Sequence, residues 1–422
     1  MKTTALLALS ASLAQASELN FDFPYNTTAP VPYEISVNPG IIEEARLKAS
    51  LYRPSIDLRD GNVANAGWVE GPPRENMTAL AKYWAEEYDW NKAQKEINGN
   101  FSHFAITLAS GSAGDYKHPV PLHFIHERSD SPDALPIILL HGWPSTSREW
   151  FEVIEPLRDS STQPFHVVAP DLPGFGFSPA ATYSGMNAPQ IADAMNSLMI
   201  SLGYDKYGIA CTDVGWFVGL FMGSRSSDNV IGLFSDFWLI SPNATDLERR
   251  ANNQTTEEET LYLDAIEDFE NNHFSYATAH EQTPLAIAQA MTDTPVGFAG
   301  WVWHLVIWAN DGYQYTFDEL ITNTLALWIQ GTYGNVYSYK EALPYASDFT
   351  YVTVPTGASV WGNTNSPLTS IGYAQLTPRS WIERMGNLTF YSKHEHGGHF
   401  PAMYEPELWT ADVVEFFKSL VN

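Results

Sequence analysis

The run Lys206-Tyr-Gly-Ile-Ala-Cys211-Thr212-Asp213-Val214-Gly215-Trp216 constrains this chain more than any other segment. An apolar stretch of strand character ends in small–x–Asp–x–small and passes directly into a helix-compatible run, Trp216 to Met222. So sharp a strand-to-helix turn admits only small residues two positions either side of its apex and leaves the apex side chain exposed above a sheet. The apex here is a carboxylate, which attacks an electrophilic carbon to form an ester that water must then hydrolyse. Asp-x-Gly also describes an ordinary turn, so the motif alone leaves both readings open.

The texture around this elbow decides the fold class. From about residue 106, apolar segments rich in β-branched residues alternate with helical stretches. Strands are expected at Ala105–Leu108, Pro121–Glu127, Leu135–Leu140, His166–Ala169, Tyr207–Cys211, Val230–Leu239, Tyr351–Val360 and Leu388–Ser392. Such a pattern predicts an α/β fold with a mostly parallel central sheet covered on both faces. Residues 242–345 break the rhythm: they are helical and rich in Trp and Tyr, which predicts a helical lid insertion. Residues 17–105 read as an N-terminal wrapping meander with helices at Pro39–Ser50 and Met77–Ile97. The expected organisation is a signal peptide (1–16), the wrapping segment (17–105), a first core segment (106–241), the lid (242–345) and a second core segment (346–422).

Composition narrows the function classes. The 422 residues can bury a large core, and their net charge of −27 argues against nucleic acid or an anionic membrane as partner. One cysteine, Cys211, leaves no internal disulfide and no cysteine-based metal site. The start, Met1-Lys2-Thr3-Thr4, an apolar run to Ala14 and Ala14-Gln15-Ala16, has the form of a secretory signal peptide, too short to span a bilayer. Sequons at Asn26, Asn76, Asn100, Asn243, Asn253 and Asn387 permit glycosylation on that route. The chain is therefore expected to be secreted or to reside in the secretory-pathway lumen, with no stable membrane anchor.

Three further motifs sit at predicted strand ends. Leu140-His141-Gly142-Trp143-Pro144 follows the strand Leu135–Leu140, and Asp171-Leu-Pro-Gly-Phe-Gly-Phe-Ser178 follows the next. In the α/β-hydrolase arrangement the backbone N–H of Trp143 would join that of Val214 in an oxyanion hole. The run His394-Glu395-His396-Gly397-Gly398-His399-Phe400 follows the last strand. Its His399 can serve as a general base, since an unperturbed imidazole titrates near pH 6.5. No carboxylate–histidine helix motif accompanies the three histidines, so neither metal nor cofactor is expected.

These four motifs, in this order, resemble an epoxide hydrolase of the α/β-hydrolase superfamily. Ala81-Lys-Tyr-Trp-Ala-Glu-Glu-Tyr-Asp-Trp90 resembles the wrapping segment of the microsomal-type branch. The resemblance implies hydrolysis of a small apolar epoxide to a vicinal diol through a covalent ester on Asp213. Tyr276 and Tyr339 would donate to the epoxide oxygen, with Tyr337 the alternative to the second. His399 would activate water, and Trp143 and Val214 would hold the oxyanion.

One element of the pattern is missing. The family places an acid before a Pro-x-x-Trp run to orient the histidine, but Gly362 to Leu376, ahead of Pro378-Arg-Ser-Trp381, contains none. Asp246 is the first candidate for a relocated acid, followed by Glu395 and Asp236; Asn363 or Asn365 would orient the ring without charge. An epoxide-opening cyclase or stalled hydrolase, and a non-catalytic binder of an apolar ligand, are therefore alternatives. A serine esterase using Ser110-Gly-Ser112-Ala-Gly114 and a haloalkane dehalogenase are weaker ones.

Overall fold

The computed structural model describes residues 19–57, 66–345 and 349–421; the expected signal peptide, residues 1–16, lies outside them. Nine strands form one sheet: β1 (Val31–Pro32), β2 (His103–Leu108), β3 (Val120–Glu127), β4 (Leu135–Leu140), β5 (Phe165–Pro170), β6 (Tyr207–Cys211), β7 (Val230–Ser235), β8 (Val352–Trp361) and β9 (Gly386–His394). Their order is β1-β2-β3-β5-β4-β6-β7-β8-β9. The pairs among β1, β2, β3 and β5 are antiparallel, and every pair from β5 through β4 to β9 is parallel. This is the expected α/β-hydrolase fold.

Parallel strands buried on both faces need apolar residues at every position, and β4 shows how they divide. Ile138 and Leu140 face one core, with the helices Ala188–Ser201 and Asp213–Arg225. Ile137 and Leu139 face the other, with Phe151–Arg158 and Pro406–Val421. The helix after the elbow is buried from Val214 through Gly223. Its close seat depends on glycine: a Cβ on Gly215 would lie 2.2 Å from the Leu140 carbonyl oxygen, and one on Gly219 2.6 Å from the Cys211 Sγ.

Residues 242–345 contain only helices among their secondary elements, from Ala244–Ala251 to Leu343–Tyr345, as an insertion between β7 and β8. No described helix is long and apolar enough to cross a membrane. Two expectations change in detail. The helix expected at Met77–Ile97 divides into Arg74–Glu86 and Trp90–Asn100, because the Asp89 carboxylate accepts the N–H groups of Asn91 and Lys92 and starts a new helix. The strand expected at Val230–Leu239 ends at Ser235, where the Ser235 hydroxyl accepts the Phe237 N–H and ends the ladder. Residues 236–239 are thereby freed to line a cavity.

Candidate active site

Asp213 occupies the apex of the elbow with φ +45°, a left-handed conformation in which non-glycine residues are strained. It opens the helix Asp213–Arg225, whose first N–H groups lack intrahelical acceptors and whose dipole favours an anion. The loop after β4 approaches it so closely that a Cβ on Gly142 would fall 2.2 Å from Asp213 Oδ1 and 2.6 Å from the Val214 nitrogen. That approach lets the Trp143 N–H donate to Asp213 Oδ1 at 2.7 Å. The buried His141 fixes the loop from beneath: its Nε2 accepts the Leu172 N–H at 3.0 Å, and Nδ1 meets the Gly142 carbonyl. Burial lowers its basicity.

The run after β5 is a clasp. Asp171 Oδ1 accepts from Ser147 N and Oδ2 from Phe177 N, while His123 Nδ1 lies 2.7 Å from Oδ2. His123 Nε2 meets His103 at 2.8 Å, so this buried chain ties β2 and β3 to the active-site floor.

His399 enters from the loop after β9. Gly397 and Gly398 have φ +125° and +60°, and His399 N donates to the Ala309 carbonyl of the lid helix Pro295–Ala309 at 2.7 Å. Its Nε2 lies 3.6 Å from Asp213 Oδ2, the carboxylate oxygen that Trp143 does not hold. Tyr276 (helix Ser275–Gln282) and Tyr339 (helix Ser338–Ala342) hang over the same point, their rings 5.9 Å apart and each within 6 Å of the Trp143 ring. Burial, and beyond it the charge of Asp213, raises both phenols above their ordinary pKa. Tyr337 does not line the cavity; it packs on Tyr333.

The structure therefore brings together Asp213, His399, Tyr276, Tyr339, Trp143 and Val214 in one cavity, about 1040 Å³ of empty space partly open to solvent. Its remaining walls, including Phe217, Phe237, Trp238, Leu239, Phe269, Leu305 and Ile371, carry no charge. Of the lid tryptophans, Trp308 lines it, whereas Trp301 donates to His280, Trp303 packs on Trp68, and Trp328 donates to the Met291 and Thr292 carbonyls. A carboxylate beside an imidazole, with two protonated phenols above and two N–H groups below, can form an ester with an opened three-membered ring and hydrolyse it.

Asp246 does not belong to this constellation. It caps the helix Ala244–Ala251 through the Asn243 N–H, and both its oxygens bind the Arg384 guanidinium, at 2.8 and 3.2 Å. Asp246 does not line the cavity and its charge is matched by Arg384, so it is not the acid that orients His399. Glu395 is exposed. Asn363 lines the cavity, but its amide is committed to Asp311 N and the Trp308 carbonyl. The other histidines of the run point elsewhere, His394 to Asp412 at 2.7 Å and His396 to Asp311 at 3.1 Å. Among the described residues no group of three or more His, Cys, Asp or Glu side chains could hold a metal ion. Ser110 is exposed in the β2–β3 connection and bonds the Lys117 carbonyl.

Sequence reasoning missed two features at the floor. Glu149, six residues after Trp143, is fully buried with both carboxyl oxygens unpartnered. Phe237 and Trp238 form a cavity wall that an overlong strand concealed.

The chain matches the epoxide hydrolase N-terminal family over residues 30–150 and the α/β-hydrolase fold family over residues 136–301. It is 28% identical to juvenile hormone epoxide hydrolase of Manduca sexta, covering 92% of this chain and 86% of that one. It is 26% identical to epoxide hydrolase 1 of Sus scrofa, covering 91% and 88%. The crystal structure of juvenile hormone epoxide hydrolase from Bombyx mori superposes with a TM-score of 0.80 at 25% identity, over 93% of this chain and 95% of that one.

Proposed function

The chain belongs to the epoxide hydrolases of the α/β-hydrolase superfamily, in the microsomal-type branch with the family's N-terminal segment, and from that premise we propose the following division of labour for its site. Asp213 Oδ2 attacks a carbon of an epoxide, whose C–O bond breaks as Tyr276 and Tyr339 donate to its oxygen and one phenol yields its proton. The product is a hydroxyalkyl ester of Asp213. His399 then takes a proton from water, which adds to the ester carbonyl carbon. The Trp143 and Val214 N–H groups hold the resulting oxyanion; on its collapse the leaving oxygen takes the proton from His399 and departs as the vicinal diol, and the proton left on the Asp213 carboxyl returns to the phenolate.

The observation that carries this reading is the split use of the carboxylate: Oδ1 lies on the Trp143 N–H while Oδ2 is free and faces His399. The uncharged walls favour an epoxide with apolar substituents. The test is diol formation from a neutral aryl or alkyl epoxide, which Asp213→Asn should abolish. Wild-type turnover by the purified variant contradicts the assignment.

We propose further that the chain travels the secretory route as a glycoprotein. The support is the N-terminal pattern together with the sequon asparagines, of which Asn26, Asn100, Asn243, Asn253 and Asn387 are exposed and Asn76 is half-buried. An unchanged mass after glycosidase treatment of protein made in a secreting eukaryotic host would refute it.

A further inference from the structure

His399 presents Nε2 to Asp213, so a group that orients the ring and balances its charge must serve Nδ1. The acids that neighbouring elements bring towards the ring differ in what they already hold. Asp311 accepts from Asn365 N and Gly397 N, and lies 3.1 Å from His396 Nδ1. Asp412 holds His394, and Asp246 holds Arg384. Asp236 is the exception. It is the first residue beyond β7 and adjoins Phe237, whose ring stands edge-on to the His399 imidazole at 5.3 Å. Its residue is 6% exposed; Oδ2 accepts the Trp409 Nε1–H at 2.6 Å, while Oδ1 is buried with no hydrogen-bond partner. A buried carboxylate oxygen without a partner is costly, and native chains keep few of them.

We propose that Asp236 is the acid that positions His399 and balances its imidazolium during ester hydrolysis. Its free Oδ1 accepts the Nδ1–H, through a small side-chain rotation or one water, as the Nε2 edge takes the proton of the attacking water. Asp236 thus replaces the acid absent after β8, from the neighbouring strand. The assignment rests on the ester mechanism above.

The charges around Asp236 suit this role. Burial raises its carboxyl to about 6, opposed by the Trp409 N–H on Oδ2 and by the charge of His399. Glu149, on the floor beneath, is raised well above the usual carboxylate range, first by burial and then by repulsion from Asp236. Two neighbouring acids with separated affinities take different protonation states. The repulsion favours the proton on Glu149 over Asp236, so Asp236 is the more readily ionised acid of the pair. Ester hydrolysis should then lose rate as pH falls through about 6, where Asp236 protonates.

The test is Asp236→Asn, which keeps an oxygen for Trp409, read by rapid mixing with a neutral aryl epoxide. Alkylation should proceed at the wild-type rate while ester hydrolysis slows roughly a thousandfold to ten-thousandfold. The alkylated Asp213 peptide should accumulate, and the acid limb of the residual hydrolysis should move away from its wild-type position near pH 6. Asp236→Glu should restore some of the rate. Wild-type ester hydrolysis with an unchanged pH profile in Asp236→Asn overturns the proposal, as does an equal loss in both half-reactions by folded protein. If Asp236→Asn does not fold, Asp236→Glu decides alone: its ester hydrolysis must slow with alkylation preserved and the acid limb displaced, and an unaltered profile overturns the assignment. Failure of the wild-type enzyme to form any Asp213 adduct refutes the ester mechanism instead.

Discussion

Replacing Tyr276 or Tyr339 by Phe removes one of two donors from the position where negative charge develops on the epoxide oxygen. Tyr339 is buried, Tyr276 is half-buried, and both rings stand within 6 Å of the Trp143 ring, so water does not readily take their place. Loss of one preorganised donor to a developing oxyanion costs about 2.7–4 kcal/mol, or roughly a hundredfold to a thousandfold in rate. That loss should fall on alkylation alone. Ester hydrolysis uses the Trp143 and Val214 N–H groups and His399 on the opposite side of Asp213, and should keep its rate within about twofold. Single-turnover stopped flow separates the two steps, with the indole fluorescence of Trp143 as a reporter beside the reacting carbon. The double variant should lose less than the product of the single losses, because the two phenols serve one oxygen. Burial and the Asp213 charge raise both phenols above their ordinary value near 10, so alkylation should show no alkaline limb from them below that pH. Equal slowing of both half-reactions, or an unaltered alkylation rate in both single variants, would refute this division of the site.

Two further outcomes concern stability. Asp246→Asn should weaken the chain by about 1–3 kcal/mol, since a buried carboxylate loses its charge opposite a partly exposed Arg384. Ester hydrolysis should be unchanged in that variant, and an accumulating ester would return Asp246 to the catalytic set. Asp171 is buried, which by itself raises its pKa, yet His123, His141 and the Phe177 N–H outweigh burial and hold it below the usual range. A lowered folded-state pKa gives stability that is present above the unfolded value near 3.9 and is lost as pH falls towards the folded value. Asp171→Asn should therefore cost roughly 3 kcal/mol in urea unfolding at pH 7, with the gap from wild type closing below about pH 4. Equal stability at pH 7 would contradict the clasp.

Much of this site was legible because its components sit where strands end. Gly142, Asp213, Gly215 and the Gly397-Gly398 pair are demanded by local backbone geometry, and local geometry is what a sequence motif records. The phenols were legible only through resemblance, since nothing local distinguishes Tyr276 or Tyr339 among 21 tyrosines. Long-range partners were not legible. Asp246 is held by Arg384, 138 residues away, and does not line the cavity. Asp236 stood only among the lesser candidates, inside an apolar run that reads as one strand to Leu239, whereas the Ser235 hydroxyl ends that strand at residue 235. The lid tryptophans carried little information about the cavity because a buried indole packs equally well between helices.

One turnover in oxygen-18 water tests the central claim most directly. With enzyme in excess over a neutral aryl epoxide, water adds to the ester carbonyl of Asp213, and the diol leaves with an oxygen from the original carboxylate. The account predicts an Asp213 peptide heavier by one label and an unlabelled first-turnover diol. A labelled diol with an unlabelled Asp213 peptide would mean that water attacks the epoxide directly, and Asp213 would not be the nucleophile.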